Sequence, residues 1–99
     1  MFIYNVTITV DKGIHKEWLT WQLEVHIPNV MRTGMFTGNQ ICRVLSEEDS
    51  TVIYIVHYYF RTMKDYEKYK NEFASGLQKE PVEKFGNKLK FSRMLLEIL

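Results

Sequence analysis

Two stretches, Phe2–Val10 and Thr51–Phe60, carry large apolar side chains on both parities of an extended chain. In the first, Phe2, Tyr4, Val6, Ile8 and Val10 alternate with Ile3, Asn5, Thr7 and Thr9, giving one fully apolar side and one mixed side. The second is rich in β-branched and aromatic residues and sets Ile53, Ile55 and Tyr59 on the opposite parity to Val52, Tyr54, Val56 and Tyr58. Strands of this kind need cover on both faces. A chain of 99 residues builds one small core, so one face is covered from within and the other is left bare. At about 2 kcal/mol for each large apolar side chain, half a dozen left in water forgo on the order of 10 kcal/mol, a small domain's whole stability. A second copy laid face to face removes that cost.

The cover comes from two helical segments. Ile14, Trp18, Trp21 and Val25 recur at helical spacing and predict an inner face for a helix over Ile14–His26, after the Asp11-Lys12-Gly13 turn. His26 falls in its last turn, since Ile27-Pro28 disfavours further helix. Pro28–Asn39 is expected to be irregular or briefly helical, with Val30, Met31, Met35 and Phe36 closing one mouth of the core. Gln40–Leu45 and Thr51–Phe60 read as a hairpin around the polar turn Ser46–Ser50. Thr62 caps a second helix, with Asp65 three residues on and Tyr66, Tyr69, Phe73 and Leu77 facing inward. Gly76 weakens it, Pro81 opens a further turn with Val82 and Phe85 inward, Gly86-Asn87 stops it, and Lys88–Leu99 is the last strand.

The order β-α-β-β-α-β, with right-handed crossovers, makes an α+β domain over residues 1–99: a four-stranded antiparallel sheet with both helices on one face, the ferredoxin-like arrangement. Tyr4-Asn5-Val6-Thr7, Trp18 with His26-Ile27-Pro28, Thr33-Gly34 with Phe36, and Phe85-Gly86 leading to Arg93-Met-Leu-Leu-Glu97 resemble the domain-of-unknown-function family 4286 over essentially the whole chain. That family belongs to the dimeric α/β-barrel superfamily, so the resemblance implies a homodimer whose two sheets form an eight-stranded barrel. It implies no activity. Pro81 departs from the family pattern and predicts a kinked or split second helix.

Composition narrows the functions. A net charge of +1, with scattered charges, offers no case for nucleic acid or an anionic membrane, and the apolar runs are too short to span a bilayer. Cys42 is alone and cannot form an internal disulfide, and Met-Phe-Ile-Tyr-Asn lacks the pattern of a signal peptide, so a cytoplasmic location is expected. No cofactor motif is present: there is no glycine-rich phosphate loop, no Gly-x-Ser-x-Gly elbow and no metal-ligand spacing. His15 and His26 share a helix face, but eleven residues is roughly 16 Å along the axis at 1.5 Å per residue, too far for one metal.

His26 is the sharpest chemical candidate. The helix dipole favours its cation while apolar neighbours favour the neutral ring, a combination suited to a general acid or base; the plainer role is a cap on terminal carbonyls. Asn5 must find partners if buried, and Gln22, His26 or a ligand are candidates. Trp18 is a candidate pocket wall as well as core, Arg43 and Arg93 are candidates to hold an anion, and His57 is able to approach from its strand. In haem-degrading members of the superfamily a first-strand asparagine works with an aromatic residue and a histidine from the second helix. Tyr69 matches the aromatic residue, but no histidine lies in the second helix, so that chemistry is not implied.

Two functions are therefore in view. One is a small-molecule-binding homodimer with its cleft between sheet and first helix, lined by Asn5, Trp18, Gln22, Arg43, His57 and Tyr69; as an enzyme it is of the cofactor-independent monooxygenase or isomerase kind, with His26 moving a proton. The other is a non-catalytic dimeric binding or scaffold module whose features are all packing.

Overall fold

The computed structural model describes residues 1–45 and 50–99, so most of the expected Ser46–Ser50 turn lies outside the described residues. Strand β1 (Phe2–Asp11) leads into α1 (His15–Trp21), a π-helical turn (Gln22–His26) and α2 (Ile27–Met31). Strands β2 (Gly38–Arg43) and β3 (Thr51–Phe60) follow, then α3 (Met63–Glu72), α4 (Ala74–Phe85), a short 3-10 turn and β4 (Leu89–Glu97). The sheet is antiparallel throughout, in the order β2-β3-β1-β4, with helices on one side, a ferredoxin-like α+β fold.

Strand parity decides the core. Tyr4, Val6, Ile8 and Val10 of β1 and Val52, Tyr54, Val56, Tyr58 and Phe60 of β3 are buried under the helices. The opposite parity is uncovered: Ile3, Ile53, Ile55 and Tyr59 are half-buried at best, and Met94 and Leu96 of β4 are exposed. Thus the apolar pattern is satisfied on one face only. Phe36, from the loop after α2, closes the far end of the helix-side core against Tyr69, with ring centroids 4.8 Å apart.

Five local expectations change. The first helix does not stop at His26; it passes through the π turn and Pro28 to Met31, the Ile27 amide bonding back to the Gln22 carbonyl. A proline in a regular helix clashes with the carbonyl four residues before it, and the wider π turn directly ahead of Pro28 relieves that clash. The extra residue also rotates the helix. Buried positions run Trp18, Gln22, Ile27, Val30, and Val25, expected inside, is 41% exposed.

The second helix breaks at Phe73, whose φ of −124° leaves helical geometry, and not at Gly76 or Pro81. Pro81 sits buried inside α4, taking the inward place expected of Val82, which is 52% exposed. Thr62 caps α3 as its position suggests, its hydroxyl accepting from the Asp65 amide at 3.2 Å. Gly86 ends α4 at φ 63°, a conformation that side chains with a Cβ rarely adopt. Finally, β2 starts at Gly38, two residues earlier than expected, because Thr37 already donates its amide to the Tyr59 carbonyl at 2.8 Å.

Candidate functional site

The π turn, α4 and the sheet enclose a cavity between them. From the sheet come Tyr4, Val6 and Ile8 of β1, Tyr58 of β3, and Phe91 and Arg93 of β4; Gln22, His26 and Val30 close it from the first helix, and Tyr69, Leu77, Gln78 and Pro81 from the second. Its volume is about 30 Å³, room for about two water-sized atoms at the ~10–15 Å³ each requires. Drug-sized ligands occupy pockets of roughly 300–1,000 Å³. The cavity takes a small group, or the head of a larger molecule.

His26 is the most structured member. Its Nδ1 lies 3.0 Å from Oε1 of Glu80 on α4, and the Asn29 amide donates to both oxygens of that carboxylate, at 3.4 and 3.3 Å. Trp21 stacks on the imidazole, centroids 5.2 Å apart, and Phe85 meets Trp21 edge-on at 5.4 Å. Burial holds the His26 pKa below the ordinary histidine value despite the opposing pull of Glu80, while Arg93 depresses it further. The ring is therefore neutral near pH 7. A carboxylate only accepts, so the proton sits on Nδ1 and donates to Glu80, which leaves Nε2 as an unprotonated lone pair. Glu80 itself does not line the cavity; with Trp21, Val25 and Asn29 it faces a separate outer groove of about 370 Å³.

The other polar groups are chiefly donors. The Tyr58 hydroxyl is buried with no hydrogen-bond partner among the described residues, in a side chain only 3% exposed. Burial pushes the Tyr58, Tyr69 and Tyr4 phenols above their usual pKa, so all three stay protonated. Gln78 and Arg93 flank the Tyr4 hydroxyl. Arg93 lies exposed at the mouth with its guanidinium over the Phe91 ring, 4.9 Å from the centroid.

Of the residues singled out from the sequence, His26, Gln22, Tyr69 and Arg93 meet at this cavity. Trp18 does not: it is fully buried one turn upstream, its ring 5.0 Å from that of Tyr54. Arg43 is at the end of β2, in another groove with Leu19, Leu23 and Tyr54. Asn5 and His57 face each other across β1 and β3 on the uncovered side of the sheet, so the idea that Asn5 and His26 border one space is overturned by strand parity. There Asn5 donates to the Thr7 hydroxyl at 3.3 Å. Sequence reasoning missed Glu80, Tyr4, Tyr58 and Gln78. Glu80 lies 54 residues from His26, and no local pattern joins the two.

Among the described residues no helix is long and apolar enough to cross a membrane, and no group of His, Cys, Asp or Glu is placed to hold a metal. No curated protein matches the chain. Among solved structures, an ethyl tert-butyl ether D (EthD) family protein from Bacillus halodurans superposes with a TM-score of 0.70 at 14% identity, with 100% of both chains covered. A dimeric ferredoxin-like protein from an uncultured marine organism gives 0.68 at 13% identity, covering 99% of this chain and 95% of that one. A variant of MhuD with two manganese protoporphyrin IX molecules bound per active site gives 0.70 at 16% identity, covering 100% and 95%. At these identities the likeness is one of fold. The sequence goes further, for the model of the family described as Domain of unknown function (DUF4286) matches residues 1–99, and the chain belongs to that family.

Proposed function

We propose that two copies of this chain pair through their uncovered sheet faces, and that each holds a small molecule in the cavity beside the π turn, with His26 as acid or base. The observation that supports this most is the His26–Glu80 pair: Nδ1 lies 3.0 Å from the carboxylate and the ring lines the cavity, so that with Nδ1 donating, Nε2 is left to accept. When a bound acid gives its proton to Nε2, the electron pair stays on the ligand and the imidazolium charge is offset by Glu80. That work needs no cofactor. Pairing is supported by the bare row Ile3, Ile53, Ile55, Tyr59 and Leu96, and by similarity to proteins described as dimeric ferredoxin-like. The π turn fits as well, since such turns are frequent at functional sites.

The test is a fragment screen by NMR with His26 as reporter. Hits are expected to move its ring resonances in the wild type and to lose most of their affinity in His26→Ala, while the variant remains folded. A screen in which no fragment moves His26 sinks the cleft and leaves the non-catalytic dimeric module, which the complete burial of Trp18 also accommodates. Titration gives a second check. With its folded pKa below the unfolded value of about 6.5, His26 costs nothing above that pH; as pH falls from there through the folded value, the unfolded chain binds a proton that the folded one refuses, and stability drops. His26→Gln should flatten that decline. Glu80→Gln should lower the His26 midpoint further, because it removes the charge that raises it.

A further inference from the structure

We propose that the ligand of this cavity is a small carboxylate, its head received by the Tyr58 and Tyr69 hydroxyls with the Arg93 guanidinium at the mouth. The inference rests on the cleft being a small-molecule site and adds the chemical class of what enters it.

The first argument is a buried donor with no acceptor. Tyr4, Tyr58 and Tyr69 offer three hydroxyl protons, Gln22 and Gln78 offer amide protons, and Arg93 offers a fork of five N–H groups. The two amide oxygens, the phenol oxygens and the lone pair of His26 Nε2 have room to accept most of these, and Gln78 and Arg93 already flank the Tyr4 hydroxyl. Protonated phenols held in apolar surroundings cannot remove the need for an acceptor by ionising, and burial pushes all three the wrong way for that. Tyr58 is the plainest case: its hydroxyl is enclosed and has no partner among the described residues, a state that costs stability until an acceptor arrives. An acceptor is what the Tyr58 hydroxyl lacks, and a carboxylate oxygen is the strongest one available to it.

Charge points the same way. Among the described residues Arg93 makes no ion pair, the one such contact being His26 with Glu80. Its stacking on Phe91 occupies the face of the guanidinium and leaves the in-plane N–H groups to bind two oxygens at once. Glu80, the nearby negative charge, is turned to the outer groove and engaged by His26 and Asn29. Size fits too. Room for about two water-sized atoms accommodates the two oxygens of a carboxylate, with the remainder of the ligand leaving through the mouth past Arg93.

The experiment uses the intact protein and two probes, propionate and its neutral isostere propionamide, followed by NMR titration at low salt. Propionate should bind at least tenfold more tightly than propionamide, move the Tyr58 and His26 signals, and weaken as salt is added. Arg93→Gln should lose at least tenfold of the propionate affinity and leave propionamide unchanged; Arg93→Lys, should the glutamine variant fold poorly, should retain part of it. Tyr58→Phe should cost several-fold for propionate. Equal binding of both probes, or propionate binding indifferent to Arg93, overturns the carboxylate while leaving the cleft itself standing if His26 still responds. Absence of binding by either probe overturns the carboxylate alone, since the cleft is then judged by the neutral and cationic fragments of the wider screen.

Discussion

The two ends of the helix-side layer are built from the same kind of residue and come out differently. At one end Trp18 is fully buried against Tyr54, whose hydroxyl is hydrogen-bonded to Nδ1 of His15 at 3.0 Å, and the indole is wholly enclosed. At the other, Tyr4, Tyr58 and Tyr69 stand around a void. Among the described residues each end leaves one buried donor without a partner, Trp18 Nε1 in the first and the Tyr58 hydroxyl in the second. The first lines none of the cavities named above; the second has one beside it. Between the two ends lies the π turn, which sets Gln22 and His26 inward where a regular helix would have presented Val25. Aromatic richness therefore does not decide whether a layer packs or opens. The local winding of the helix above it does.

The contrast can be broken or sharpened by substitution. Trp18→Ala should cost ~3–5 kcal/mol in chemical denaturation, the range for truncating a fully buried large aromatic residue; a loss below about 1 kcal/mol would mean that the enclosed end is not tightly packed. The uncovered sheet face is the next strongest case, because a charge there has no counterpart across the proposed pairing. Ile55→Asp should raise the dimer dissociation constant at least ~100-fold, about 2.7 kcal/mol, as read by light scattering across concentrations. A wild type that scatters as a single copy at micromolar concentration ends the pairing proposal.

Smaller effects separate the ends more finely. Tyr54→Phe removes a partnered hydroxyl and should cost ~0.5–1.5 kcal/mol, whereas Tyr58→Phe removes an unpartnered one and should be neutral or slightly stabilising without ligand. Equal losses in the two variants would show that Tyr58 already has an acceptor. Least of all, Val82→Ala should change stability by under ~0.5 kcal/mol, because the side chain faces solvent; a core-sized loss would restore the inward placement suggested by its spacing.

How far the residues themselves foretold this is clearest in β1. Its alternation was enough to send Tyr4, Val6, Ile8 and Val10 under the helices, and by the same rule it sent Asn5 to the other side. Placing Asn5 beside His26 went against that parity, and the structure corrects it. Thr62, Gly86 and the β3 boundaries were equally legible, since caps, left-handed glycines and β-branched runs act within a few residues. In the sequence Pro28 marks a helix end because a proline clashes with regular helix, but it permits a wider turn that only packing selects.

The amino-acid order alone determined the strand and helix sequence, the two-sided apolar sheet and the aromatic content of its cover, because periodicity and hydrophobic burial are short-range consequences of side-chain type. Tertiary structure decided the rest: which histidine nitrogen is free, which acid holds the other, and which tyrosines face a void. Those depend on His26 and Glu80, 54 positions apart, being brought within hydrogen-bonding reach by one extra residue in a helical turn and one break at Phe73. Offsets of a single residue rotate a helix by about a hundred degrees at 3.6 residues per turn, and only the packed molecule shows where they fall.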